Sequence, residues 1–326
     1  MLIRLAGVIG LFVAAGFGDA LAQSTQDLKP LGRLIEVSGR KLHLHCTGAG
    51  GPTVVLVAGG EAFAIDWALV QPLIAEKTRV CAYDRAGLGW SDAGPADETV
   101  EQTVEDLHAL LRAADEKGAF VLVGASIGGI FIRAYQRVFP DEVAALVFSN
   151  SSNRVAIPAP GGRGGLLWDL TEEILRSAFP PPASAKGAAP TKIGAPFDKL
   201  PPNLQKARLW FDVRLWEKYE PTKEGPETML SWRKEFLREF EETDAKEYPL
   251  GQLPVVVLSD GPAATESDRR SRSGAAARLN FLSSNSVHIT AAGSGHEIHL
   301  THPDRVVNAV MQVVVAVRNH VPLNAR

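Results

Sequence analysis

The 326-residue chain lacks an excess of either charge. Its 34 Lys and Arg stand against 37 Asp and Glu, a formal net charge of −3. A surface for nucleic acid or anionic lipid needs concentrated Lys and Arg, so neither partner is expected. The chain also lacks a membrane-spanning run. The apolar stretch from Leu5 to Phe17 has 13 residues, short of the roughly 20 a helix needs to cross the hydrocarbon core, so no stable membrane anchor is expected. Cysteine is scarce, with only Cys46 and Cys81. No internal repeat is visible. What is left, 45% hydrophobic and 22% charged, suits one large soluble α/β domain carrying an insertion.

The first 22 residues are a different material. Arg4 supplies a short positive region, the apolar core follows, and Ala20-Leu21-Ala22 gives a small-x-small cleavage pattern. This predicts a signal peptide over 1–22, removed after Ala22, and a periplasmic or secreted protein. An oxidising compartment lets Cys46 and Cys81 bridge. Two buried free thiols are the other outcome the sequence allows.

From residue 31 the pattern alternates. Strands are predicted at Arg33 to Val37, Lys41 to Cys46, Thr53 to Val57, Arg79 to Tyr83, Phe120 to Val123, Val143 to Ser149, Val255 to Leu258 and Val287 to Ala291. Helices are predicted at Asp66 to Ala75, Thr99 to Ala114, Ile127 to Val138 and Pro303 to Val317. Continuous apolar strands alternating with amphipathic helices imply a mostly parallel central sheet covered on both faces. Between 153 and 250 the alternation breaks. Segments rich in Pro, Gly and Ala separate helical stretches at Leu204 to Tyr219 and Glu227 to Glu242, read as a helical lid. The core is then 23–152 with 251–326, and the lid 153–250. The aromatic stripes of the lid are expected to pack, a few of them lining an apolar pocket. Arg233, Lys234, Glu235, Arg238 and Glu239 are expected to form a solvated face.

The chemistry concentrates at Gly124-Ala125-Ser126-Ile127-Gly128, a G-x-S-x-G pattern between a legible strand and a legible helix. A Ser on such a turn is aimed at a helix N-terminus, where free N–H groups favour a developing oxyanion. Its hydroxyl needs a base, and of the eight histidines His296 is placed best. It follows a strand end and the flexible Gly293-Ser294-Gly295. His43 and His45 share a strand face without an evident third metal ligand and are expected at the surface. His288, His299 and His302 are assigned structural roles. Neither a metal nor a cofactor is expected.

Four motifs in register make the chain resemble the α/β-hydrolase superfamily across residues 31 to 320. They are Ala58-Gly59-Gly60 after the third strand, Tyr83-Asp84-Arg85-Ala86-Gly87-Leu88-Gly89-Trp90-Ser91 after the fourth, the elbow, and Gly293-Ser294-Gly295-His296. The resemblance implies the α/β-hydrolase fold with a helical lid, and an oxyanion hole from the amides of Gly60 and Ile127. It gives Asp84 and Arg85 the task of fixing their loop. It also sets the strands of Cys46 and Cys81 side by side, which keeps a disulfide open. A Ser at the elbow, where dehalogenases and epoxide hydrolases carry Asp, leaves acyl transfer to water.

The acid departs from the family pattern. Counting from Gly261, the usual Asp position holds Ala264; Asp260 comes early and Asp268 late. The alternative family position, after the preceding strand, holds Asn150. Asp260 is the favoured acid. The implied activity is cleavage of a small, apolar ester, thioester or activated amide through an acyl-enzyme on Ser126. The other readings are a non-catalytic protein binding a ligand under the lid and a peptidase of the same fold.

Overall fold

Valine-rich, mostly apolar runs build the centre of one sheet. The computed structural model describes residues 28–95, 98–151, 156–158, 164–166, 172, 188–217, 226–260 and 279–323. The expected leader and its cleavage site, Ala264 and Asp268 lie outside the described residues. The strands are β1 (Arg33–Val37), β2 (Arg40–Thr47), β3 (Val54–Val57), β4 (Val80–Tyr83), β5 (Phe120–Ala125) and β6 (Val143–Ser149). A short pair, β7 (Ala156–Pro158) and β8 (Gly164–Leu166), precedes β9 (Val255–Ser259) and β10 (Ser286–Thr290). The main sheet runs β1-β2-β4-β3-β5-β6-β9-β10. The β1–β2 and β2–β4 pairs are antiparallel, and every other pair is parallel. This is the mostly parallel sheet the alternation implies. The antiparallel β7–β8 pair is unexpected, because Pro and Gly interrupt any strand-like periodicity there.

Alternate side chains of each central strand enter two separate cores, one on each face. Val55, Val57, Leu122, Leu146, Phe148 and Val257 point to one. Val54, Leu56, Val121, Val123, Val147 and Val256 point to the other. That two-sided burial is why the strands read as continuous apolar runs. The first face is covered by α2 (Val100–Ala113), α3 (Gly128–Val138) and α5 (Pro226–Ala245). The second carries a 3₁₀ turn (Ala64–Trp67), α1 (Gln71–Ala75), α6 (Ile298–Thr301) and α7 (Pro303–Asn319); α4 (Pro202–Glu217) is the remaining long helix. The single helix expected over Asp66 to Ala75 is two pieces. Pro72, which has no N–H, fits the first turn of α1 but not the interior of a longer helix.

Most stripe aromatics pack as expected: Phe211, Trp232, Phe236 and Phe240 are buried. The charged run on α5 differs from expectation. Glu235 and Glu239 are buried, because α5 lies along α3 and meets its arginines. Glu235 pairs with Arg137 and, at 2.9 Å, with Arg238; Glu242 pairs with Arg133. His43 is also a correction, being buried rather than at the surface. Its Nδ1 lies 2.9 Å from Asp84 Oδ2, and its Nε2 accepts from the Gly32 amide at 2.9 Å. Cys46 and Cys81 are register partners on β2 and β4 and form a disulfide. Among the described residues no helix is long and apolar enough to cross a membrane.

Candidate active site

The carboxyl ends of β3, β5, β6, β9 and β10, neighbours in the sheet, carry the predicted site. They lead into Ala58-Gly59-Gly60, Ser126, Asn150, Asp260 and the loop to His296 respectively. Parallel sheets bind ligands at this edge.

Ser126 sits between β5 and α3 at φ 50°, a left-handed conformation that costs a non-glycine residue energy. Close packing holds it there. A Cβ on Gly124 would lie 2.6 Å from the Gly128 carbonyl carbon, and one on Gly128 would lie 2.4 Å from the Val57 oxygen. The two glycines of the motif therefore let the turn close against β3. The Ser126 amide donates to the Ser149 carbonyl at 3.1 Å. No hydrogen bond from the Gly60 or Ile127 amide occurs among the described residues, so both donors remain available. Arg85, expected to fix its own loop, instead holds the facing one: its Nη2 donates to the carbonyls of Gly59 at 2.7 Å and Gly60 at 2.6 Å. Asp84 accepts from the Trp90 amide within its loop at 2.9 Å and from the Ala64 amide, at the start of the 3₁₀ turn, at 2.8 Å.

His296 follows two glycines at positive φ, Gly293 at 76° and Gly295 at 69°, where most side chains would be strained. Asp260 Oδ1 accepts from the Ser294 amide at 3.1 Å. Asn150 Nδ2 donates to the carbonyls of Gly295 and His296, each at 3.1 Å. Both candidate acid positions thus grip the histidine loop by its main chain. Among the described residues no hydrogen bond joins the His296 ring to a carboxylate or to Ser126.

Ser126 and His296 line one cavity of about 410 Å³ with Gly59, Gly60 and Phe197. The same cavity is lined by Asp66, Arg208 and His299, with Glu61 and Glu297. These were not predicted. Asp66, in the 3₁₀ turn, is fully buried, and desolvation pushes its carboxyl up to about 6 against the pull of Arg208. Its Oδ2 accepts from the Phe63 amide at 3.2 Å and from Arg208 Nη1 at 3.1 Å. Arg208 reaches in from α4 and also lies 2.9 Å from Asp212. His299, expected to be structural, is buried beside Trp67, ring centroids 4.8 Å apart, and burial pushes it down to about 3. Signals existed for two of the three. Arg208 occupies the apolar face of α4 with Leu204, Ala207 and Phe211, at spacings of three and four. His299 follows His296 by three residues. Among the described residues none of the stripe aromatics lines this cavity, whose lining mixes these polar side chains with Ala62, Ala125 and Phe197.

A family model described as alpha/beta hydrolase fold matches residues 52–303. The chain belongs to the alpha/beta-hydrolase family. Over 141 residues it is 34% identical to a 2-hydroxymuconate semialdehyde hydrolase from Pseudomonas sp. strain CF600, a match covering 42% of this chain and 49% of that protein. Over 321 residues it is 23% identical to a protein from Hormonema carpetanum, covering 86% of this chain and 42% of that one. The chain thus spans less than half the length of these curated relatives. Among solved structures, it resembles a thermophilic esterase from Thermogutta terrifontis, with a TM-score of 0.60 at 18% identity, covering 89% of this chain and 99% of that one. A serine hydrolase of carbazole degradation gives 0.55 at 19%, covering 87% and 98%. Likeness at these identities shows the fold.

Proposed function

We propose that this hydrolase cleaves a small ester, thioester or activated amide through an acyl-enzyme on Ser126. The observation that carries the reading is the strained Ser126, at φ 50°, facing one cavity with His296. His296 removes the hydroxyl proton as Ser126 Oγ attacks the acyl carbon, then returns it to the leaving group. Water repeats the cycle with the acyl-enzyme and releases the acid. The free amides of Gly60 and Ile127 take the oxyanion. A base and nucleophile without a direct bond in the unliganded state are ordinary, since such contacts tighten around substrate. Asp260 is the third member in this reading, and its position at the base of the histidine loop supports it. Helix α4, which brings Arg208 to the cavity, supports the reading of 153–250 as a lid.

The same proposal includes export. The small-x-small site after the apolar core and the Cys46–Cys81 disulfide both suit an oxidising compartment. The function is tested by turnover of chromogenic acyl esters of graded length on wild type and Ser126→Ala. Turnover that Ser126→Ala abolishes supports the reading. No turnover of any ester by wild type favours a ligand-binding protein.

A further inference from the structure

Among the described residues, three that line the cavity, Asp66, Arg208 and His299, carry a buried polar atom without a hydrogen-bond partner, though Arg208 Nε lies 2.9 Å from Asp212 Oδ1 as an ion pair. That leaves Asp66 Oδ1 and His299 Nδ1. Both side chains are more than nine-tenths buried, at 1% and 7% exposure, and both line the cavity of Ser126 and His296. A buried polar atom left without a partner costs about 1–3 kcal/mol. Retaining two in one wall is explained if a ligand completes them. Resting on the esterase reading above, we propose that Asp66 and His299 form a polar subsite that recognises a neutral hydroxyl group on the substrate, making the natural ester a hydroxylated one.

The charges around the subsite select against the ionic alternatives. Asp66 is already engaged by the Arg208 guanidinium at 3.1 Å, so a substrate ammonium would sit against a fixed cation. A substrate carboxylate would meet Asp66, with Glu61 and Glu297 lining the same cavity. A hydroxyl escapes both penalties. It donates to Asp66 Oδ1 and accepts from, or donates to, the neutral His299 ring according to its tautomer. Arg208 is itself held by Asp66, Asp212 and the Phe197 face, 4.3 Å from its guanidinium carbon. It therefore acts as the backing that orients Asp66.

The test compares p-nitrophenyl butyrate with its 2-, 3- and 4-hydroxy counterparts, read as ratios of kcat/KM. Wild type should prefer at least one hydroxylated ester by roughly tenfold or more, the scale of one buried hydrogen bond left unmade. Asp66→Asn and His299→Phe should each bring that ratio towards one. Two variants are used because Asp66→Asn alone also leaves Arg208 short of a counter-charge. In parallel, Ser126→Ala protein is titrated calorimetrically with butyramide and the matching hydroxybutyramides. This arm needs no turnover, so a failed esterase reading and a failed subsite remain distinct. Equal rates and equal affinities across the series would overturn the subsite. So would preference for an amino- or carboxy-substituted acyl chain, or a hydroxyl preference surviving in both variants.

Discussion

Arg85 Nη2 donates to the Gly60 carbonyl at 2.6 Å, which ties a loop after β4 to the loop after β3. A second bond from the same nitrogen to Gly59 at 2.7 Å makes the clamp bidentate towards one loop. Its consequence is mechanical: a peptide whose oxygen is held presents its amide in a fixed place. Oxyanion donors contribute only when they are pre-aligned.

Arg85→Ala should therefore lower kcat for ester hydrolysis by about ten- to a hundredfold, less than outright loss of an oxyanion donor. KM should change little. Steady-state kinetics beside a melting curve checks this, and an unchanged kcat would separate the clamp from catalysis.

Asp260 and Asn150 hold the same loop with opposite chemistry, and substitution distinguishes them. Asp260→Asn keeps an acceptor for the Ser294 amide but removes the charge. If Asp260 stabilises the His296 imidazolium, kcat falls by several orders of magnitude, about 10⁴ in the worked serine-protease case. A loss within a few-fold would reduce Asp260 to a support of the loop. Asn150 donates to two carbonyls. Asn150→Asp would set a carboxylate against them, so it should destabilise by roughly 1–3 kcal/mol rather than repair a missing charge.

The disulfide closes a separation of 35 residues between β2 and β4. Replacing both cysteines with Ala should cost about 2–4 kcal/mol through the less constrained unfolded chain. Denaturant unfolding measures it. Alkylation of native protein without reductant should modify neither thiol; two modified cysteines would remove the bridge.

The two buried cavity groups predict opposing pH dependences. Asp66 is raised from 3.8 to about 6, so the fold binds its proton more tightly than the unfolded chain does. Its contribution to stability is present below pH 4 and is lost as pH rises towards 6. His299 is lowered from 6.5 to about 3, so its contribution is lost as pH falls from 6.5 towards 3. Between pH 4 and 6 the two offset each other. Asp66→Asn should make the melting temperature fall more steeply on acidification than in wild type. His299→Phe should make it fall less. Parallel profiles for all three proteins would contradict the assignment.

How much of this was legible in the sequence follows from where each signal resides. Strand β6 was read over Val143–Ser149 because a buried parallel strand leaves an unbroken apolar run. The elbow was legible because steric closeness permits so little at Gly124 and Gly128. The Asp84–Arg85 segment was read as holding its own loop; Asp84 does so through the Trp90 amide, while Arg85 holds the loop after β3. The polar wall was not read, because Asp66, Arg208 and His299 come from a 3₁₀ turn, a distant helix and the short helix beyond His296. Only the fold brings them together. Burial of Glu235 and Glu239 was hidden likewise, since helical periodicity does not say that a neighbouring helix carries Arg133 and Arg137.

The central claim, that Ser126 is a nucleophile activated by His296, is tested most directly by intact-mass measurement after reaction with a fluorophosphonate. Wild type should gain one phosphonyl adduct, mapped to Ser126. Ser126→Ala should gain none, and His296→Ala, with its melting transition retained, should label far more slowly. An unlabelled wild type, an adduct elsewhere, or full-speed labelling of His296→Ala would contradict the account.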